Sequence, residues 1–439
     1  MIVRNVRLIL SINVLIVFSG VVTSLLGAWA LGPAGRGDLL VVVLWPPVVA
    51  LLAGLGLPQA HRYWMAKEPE RVSSLFSNAI IYAVVAGGAA LALAEMIVPH
   101  LVGQRSPEVI MLVRIYLINI PVALMLDLML GLLEGSRRFG WAGVARAIFF
   151  GVQALGFLAL WLAHKLSVES ASLTMIVCQT SAMLLSIFAV RQQLHPAWQP
   201  SWTEWRRSMN YGLRDYAGIV SDFTTLRLDQ LMLGAMASSA AIGLYVIAVR
   251  LSEITTMAAG ALSEALLPEL AAARAGNCTK DLLGRSLRLT LYSHVLLLVP
   301  LLIAAPLVLK KIFGERFLPA APALRWLLVA AAVWSAGAIV ISGLKGLGYP
   351  GLSTIARLAS AGVTVVGLLV LLPRLGITGA AIASLIGYSV MFVVALFWLV
   401  SRQQIGLWDC LRPRRRDIPT LRLRSFARPG FLGAQDQQI

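Results

Sequence analysis

The chain has 439 residues, 59% of them hydrophobic and 13% charged, with a mean hydropathy of +0.81. A soluble domain carries about a quarter charged residues, so the composition excludes a water-soluble globular protein and leaves an integral membrane protein. The formal charge of +17 would point to nucleic acid in a soluble chain, but in a membrane chain it is read first as the positive-inside bias.

Apolar segments bounded by charge or Gly/Pro clusters fall at 8–31, 39–57, 78–98, 109–133, 142–163, 170–190, 211–236, 241–267, 286–309, 323–344, 353–372 and 379–400. At about 20 residues per crossing these are twelve helices, and no stretch is left for a large extramembrane catalytic domain. The first run is too long for the apolar core of a signal peptide and reads as an uncleaved span. With the N-terminus in the cytoplasm, 26 Lys and Arg fall on the inner side and 9 on the outer, which predicts a multi-pass protein with both termini cytoplasmic. Three distant cysteines, Cys178, Cys278 and Cys410, give neither a disulfide framework nor a zinc spacing. No metal or cofactor is expected.

The second half repeats the first. At an offset of 211, Gly103 matches Gly314, Arg114 matches Arg325, Gly135 matches Gly346, and Ala145-Arg146 matches Ala356-Arg357. Leu57-Pro58 matches Leu267-Pro268 at 210, and Gly37 matches Gly243 at 206. Six spans per unit is an even number, so the copies share one orientation about an axis along the membrane normal. The expected organisation is a six-helix lobe at 1–195, an amphipathic cytoplasmic linker at 196–210, a second lobe at 211–401 and a basic tail at 402–439. The linker rests on Ser201-x-x-Glu204, a capping box ahead of Trp202, Trp205 and Met209 at helical spacing.

Span seven carries the chemistry. Asp215, Asp222 and Asp229 recur every seven residues and form one stripe, with Arg227 between them. Asp222, Arg227 and Asp229 each cost about 2.5–3.5 kcal/mol near mid-helix, more than the surrounding Leu, Ile, Val and Phe return, so this helix cannot face lipid. Span eight offers Arg250, Glu253 and Glu264 on one broad face. Two arrangements satisfy these charges: a polar cavity that binds an ion or an anionic headgroup, or a charge-paired seam in which Asp222 or Asp229 meets Arg250. Span one has only Asn13 as a comparable polar residue, so the halves are chemically unequal. Asp127 in span four is a weaker proton-site candidate, and Arg114, Arg325, Arg146 and Arg357 read as snorkelling anchors.

Several segments together resemble a known family: Leu-Gly-Pro-Ala-Gly-Arg-Gly-Asp at 31–38, Leu-Gly-Leu-Pro-Gln-Ala at 55–60, Arg-Leu-Asp-Gln-Leu-Met-Leu-Gly at 227–234, Ile-Gly-Leu-Tyr-Val-Ile-Ala at 242–248, Leu-Leu-Pro-Glu-Leu at 266–270 and Leu-Gly-Ile-Thr-Gly-Ala-Ala-Ile-Ala at 375–383. Their order and the six-plus-six repeat are similar to the polysaccharide transporters, or oligosaccharide flippases, of the multidrug/oligosaccharidyl-lipid/polysaccharide (MOP) superfamily. The resemblance implies an all-α polytopic membrane protein of about twelve helices in two lobes, MATE-like, with a central cavity and alternating access. It further implies a non-enzyme of the bacterial inner membrane that moves an undecaprenyl-pyrophosphate-linked oligosaccharide between leaflets for O-antigen, capsule or exopolysaccharide assembly. Its partners would be that lipid-linked oligosaccharide, membrane lipids, and polysaccharide polymerase and glycosyltransferases, with no nucleic acid. Arg250 and Arg227 are the headgroup candidates; Asp229, Asp222, Asp215 and Glu253 are the ion-coupling candidates. The competing functions are a cation-coupled multidrug exporter of the same fold and, from another class, a membrane polysaccharide polymerase or ligase.

Overall fold

The computed structural model describes residues 2–272, 277–347 and 349–403. The basic tail beyond Gln403 lies outside the described residues, as do the side chains of Asn13, Asp215, Asp222 and Glu264. Every regular element among the described residues is helical.

The first helix, α1 (Ile2–Gly54), has 53 residues. As a straight rod it would reach about 80 Å, well over twice the roughly 30 Å hydrocarbon core. It folds back at Gly32, where φ 63 and ψ −173 leave the helical region, a backbone shape that glycine adopts without a Cβ clash. Across the turn, Arg36 Nη2 donates to Ser24 Oγ at 3.5 Å; a straight helix would hold those residues about 18 Å apart. The last helix, α12 (Pro350–Gln403), behaves alike at Gly376 (φ 57, ψ −138), and Ser360 Oγ donates to the Gly387 carbonyl at 2.8 Å. Each of these helices is therefore two spans.

Between them run α2 (Leu57–Lys67), α3 (Val72–Leu101), α4 (Pro107–Leu117), α5 (Asn119–Gly135), α6 (Phe139–Leu162), α7 (Val168–Leu194), α8 (Trp202–Met236), α9 (Ser239–Ala272), α10 (Asn277–Val308) and α11 (Ala321–Gly346). The span expected at 109–133 is broken at Ile118 into α4 and α5. Pro121 explains the break, since its ring clashes with the carbonyl four residues back and it has no N–H to donate. Nine described segments are long and apolar enough to cross a membrane. Two of them hold hairpins and α8 is too charged to qualify, so all twelve expected crossings are present.

One hydrophobic cluster draws on residues between Ala50 and Met209, another on residues between Leu283 and Leu399. A third joins the two parts of the chain, packing Val41 and Val42 of α1 with Ile242 and Tyr245 of α9. At this seam the repeat becomes visible in space. A Cβ on Gly243 would collide with the carbonyl oxygen of Pro33, and a Cβ on Gly37 with that of Ser239. Pro33 and Ser239 are 206 residues apart, as are Gly37 and Gly243, so the contact is reciprocal, as at a two-fold interface. Beside it Arg105 donates to Ser239 Oγ at 2.8 Å and to the carbonyls of Gly234 (3.0 Å) and Ala237 (2.5 Å), while Ser239 donates to Asp38.

At the opposite end, α2 joins the start of α8. Ser201 Oγ accepts from the Glu204 N–H at 3.4 Å, but the expected reciprocal bond is replaced: the Ser201 N–H goes to Asn78 Oδ1 at 3.1 Å. That releases the Glu204 carboxylate to pair with Arg71. From Trp202 the helix continues unbroken to Met236, so the expected linker helix and span seven are one element. Arg207 clamps Glu68 bidentately (2.8 and 2.6 Å) and lies 3.6 Å over the Trp64 ring.

Candidate functional site

Where α1, α6, α8 and α9 converge with α7, α11 and α12, they enclose a cavity of about 540 Å³. Among the described residues its charged lining is Arg36 from α1, Arg227 and Asp229 from α8, and Arg250 and Glu253 from α9. The charges that span seven could not show to lipid are thus absorbed by this space and by helix α9, as the insertion cost requires. Four candidates read from the sequence, Arg227, Asp229, Arg250 and Glu253, meet here. The side chains of Asp215 and Asp222 lie outside the described residues.

Glu253 organises the cations. Its two carboxylate oxygens each face one guanidinium, Arg227 Nη1 at 3.2 Å and Arg250 Nη1 at 3.2 Å. The seam pairing of Asp229 with Arg250 is therefore not the one formed: both arginines turn to Glu253 instead. Arg250 remains 54% exposed into the cavity, so most of its five N–H donors stay available.

Asp229 sits deeper, 5% exposed. Its oxygens accept from the Tyr245 hydroxyl at 2.5 Å, the Gln230 N–H at 2.7 Å and Ser384 Oγ at 3.5 Å. Arg227 and Glu253 are its charged neighbours. A carboxylate held by a phenol and a serine offers hard oxygen atoms and suits a proton or a small cation.

Arg36 was missed in the sequence, where it reads as a cation of the outer loop at 31–38. Because the second span begins directly after Gly32, Arg36 lies one turn inside it. Its guanidinium reaches back to Ser24 and lies within electrostatic range of Arg250, and its Nε is buried without a partner among the described residues. The available signal was the Gly35-Arg36-Gly37 triplet, since small flanking residues let a backbone approach a neighbour closely. Tyr245 was likewise missed, although it lies in the Ile-Gly-Leu-Tyr-Val-Ile-Ala segment at 242–248. Among the described residues, three arginines against two acids leave the lining formally one charge positive, which suits an anion.

A family model described as "Polysaccharide biosynthesis protein" matches residues 37–322. The chain belongs to this family. Among solved structures it is similar to "Lipid II flippase MurJ, inward closed conformation", with a TM-score of 0.78 and 13% identity, covering 93% of this chain and 89% of that one. It is also similar to an inward-facing multidrug resistance MATE family transporter of the MOP superfamily (TM-score 0.68, 16% identity, 88% and 94% covered), and to a point mutant of the Vibrio cholerae MATE transporter VcmN (TM-score 0.59, 14% identity, 92% and 98% covered). At these identities the likeness is one of fold. An uncharacterized membrane protein of Methanocaldococcus jannaschii is 30% identical over 92 residues, 21% of this chain and 18% of that relative's length. The protein is thus a multi-pass membrane protein of polysaccharide biosynthesis with the fold of flippases and transporters.

Proposed function

We propose that the protein flips an undecaprenyl-pyrophosphate-linked oligosaccharide from the inner to the outer leaflet of the bacterial inner membrane, with both termini cytoplasmic and with residues 1–195 and 211–401 rocking as two lobes. What carries this reading is the cluster of Arg36, Arg227 and Arg250 in a cavity inside the membrane of a polysaccharide biosynthesis protein. A diphosphate cannot cross hydrocarbon bare, and arginine stays charged where lysine could lose its proton. An inside-negative potential already favours outward movement of an anion by about 2.3 kcal/mol per charge per 100 mV, so the site's task is to lower a barrier. Glu253 acts as the internal counter-ion that an incoming diphosphate replaces on Arg227 and Arg250. Asp229, exchanging a proton or small cation as its partners on α9 and α12 shift, is the coupling residue. The excess of cations among the described lining residues favours an anionic cargo over a cationic drug.

The test is Arg250→Gln in cells whose lipid-linked oligosaccharide is assayed on each leaflet. Folded protein should remain in the membrane while the lipid-linked sugar accumulates on the inner leaflet, and Arg250→Lys should be partly active because the charge survives and the fork is lost. Flipping at the normal rate by Arg250→Gln would overturn the assignment of the diphosphate site.

A further inference from the structure

A second group of charges lies outside this lining, on α2, α5 and α6. Glu134, near the end of α5, is 8% exposed and pairs with two guanidiniums: Arg146 Nη2 at 2.5 Å and Arg62 of α2. The arginines themselves are 48% and 46% exposed. Each is held by one edge and presents its other donors to a wet space. Asp127, two turns before Glu134 on the same face of α5, is exposed and has Arg146 and Glu134 as charged neighbours. An exposed carboxylate about 12 Å in from the helix end cannot face lipid, so this group borders water within the protein.

Helical register connects that water to the cavity. Arg146, Gln153 and Phe157 lie at steps of seven and eleven residues on α6, within about 20° of one line. Gln153, Phe157 and the intervening Phe150 line the cavity. Arg146 therefore continues the cavity-facing stripe about 10 Å toward the α2 end. The chemistry of the two levels differs. The upper level, with Arg36, Arg227 and Arg250, is formally positive; the lower, with Arg62, Arg146, Glu134 and Asp127, is formally neutral, with rigid donors beside a free carboxylate acceptor. Sugar hydroxyls both donate and accept and carry no charge to satisfy. Phe150, one turn above Arg146 and edge-on to Phe149 with centroids 4.9 Å apart, adds an apolar face for sugar C–H groups.

We infer that Asp127, Arg146 and Arg62, the two arginines fixed by Glu134, form a glycan subsite that takes the first sugars of the lipid-linked oligosaccharide below the diphosphate. This rests on the flippase reading above. The test is binding to the purified full-length protein in nanodiscs, followed by tryptophan fluorescence. Two probes are compared: undecaprenyl diphosphate, and undecaprenyl-diphosphate-linked oligosaccharide extracted from source cells lacking this protein. Wild type should bind the sugar-bearing probe about tenfold more tightly, the worth of one or two polar contacts. Arg146→Gln and Asp127→Asn should abolish that preference and leave the bare lipid unchanged, whereas Arg36→Gln should weaken both probes. Asp127 takes no part in the two ion pairs, so its near-isosteric replacement keeps the fold if Arg146→Gln does not. Equal binding of both probes by wild type, or equal weakening of both by Asp127→Asn, overturns the glycan subsite alone. Failure of wild type to bind the bare diphosphate overturns the flippase reading beneath it.

Discussion

Gly243→Ala tests the seam between the two parts of the chain with a single methyl group. The added Cβ would stand 3.0 Å from the Gly37 nitrogen and closer still to the Pro33 carbonyl oxygen. Both are backbone atoms of α1 and cannot rotate aside as a side chain would. Relief requires α1 and α9 to part at this end by a sizeable fraction of an ångström or more. Overpacking of this kind costs about 1–3 kcal/mol, and it is paid only where the two helices touch. The better helix propensity of alanine acts on α9 in both states and cancels. The closed arrangement should therefore lose about 5- to 150-fold in population relative to one with this end parted.

The readout is Val41→Cys, fully buried in the seam, reacted with a membrane-impermeant maleimide after Cys178, Cys278 and Cys410 have been replaced. Labelling should accelerate by that factor in Gly243→Ala and equally in Gly37→Ala, because the contact is reciprocal. The double variant should add little, since the first methyl already makes room for the second. Unchanged labelling in both folded single variants would refute the close backbone contact. Full additivity would refute its reciprocity.

Further outcomes follow from other parts of the molecule. A thiol at exposed Ser238 should react with an impermeant reagent on intact cells, and reaction only after permeabilisation would reverse the proposed topology. Glu253→Gln removes two partly exposed ion pairs worth about 0.2–1 kcal/mol each, so undecaprenyl diphosphate should bind about 2- to 30-fold more tightly; weaker binding would show that Glu253 is not a competing counter-ion. At the α2 end, burial pushes His61 down to about 4 from 6.5, a shift that the nearby Leu128 carbonyl opposes only in part. The contribution of neutral His61, roughly 3 kcal/mol, is thus complete above pH 6.5 and lost as pH falls toward 4. The Arg207 hydrogen bond, with Arg71 and Lys67 nearby, holds the Glu68 carboxyl below its usual 4.5, so its clamp starts to weaken only below pH 4.5, after the loss at His61 has begun. Hydrogen exchange of residues 57–71 and 196–210 should rise in that order, and Glu68→Gln should remove the lower-pH step alone; a single step near pH 4.5 in wild type would contradict the His61 assignment.

The spans were legible because insertion energetics act on composition, which one chain displays in full. The hairpin at Gly32 was legible as a turn, but its tightness was not, and Arg36 was lost with it. A side chain four residues beyond a turn counts as a loop cation until the turn is known to occupy one residue. The α8 stripe was legible by helical period, yet periodicity says which residues share a face and not what that face meets. That is why Asp229 and Arg250 competed as a pair in the sequence, whereas in the fold Glu253 takes both arginines and Tyr245 takes the aspartate. Arg146 shows the same limit. Near a helix end, a snorkelling anchor and a cavity-facing residue have identical sequence signatures; the fold adds that Arg146 pairs with Glu134 across the turn that joins α5 to α6 and shares a register with Phe150 and Gln153, which line the cavity.

The repeat supplies the remaining step. Gly37 and Gly243 were matched as equivalent positions by their spacing, and the fold places them against each other. Equivalent residues can meet only near the axis that relates the copies, so the seam marks that axis at the Gly32 end. A rocking motion about it leaves this contact intact or breaks it as a whole, because backbone packed against backbone has no side chain with which to slide. The charges that distinguish the copies, Arg227, Asp229, Arg250 and Glu253, all come from the second unit, while the first contributes Arg36 and the Glu134 group. The two units therefore share a framework and carry different charges on it, with Arg227, Asp229, Arg250 and Glu253 on α8 and α9 and the Glu134 group on α2, α5 and α6.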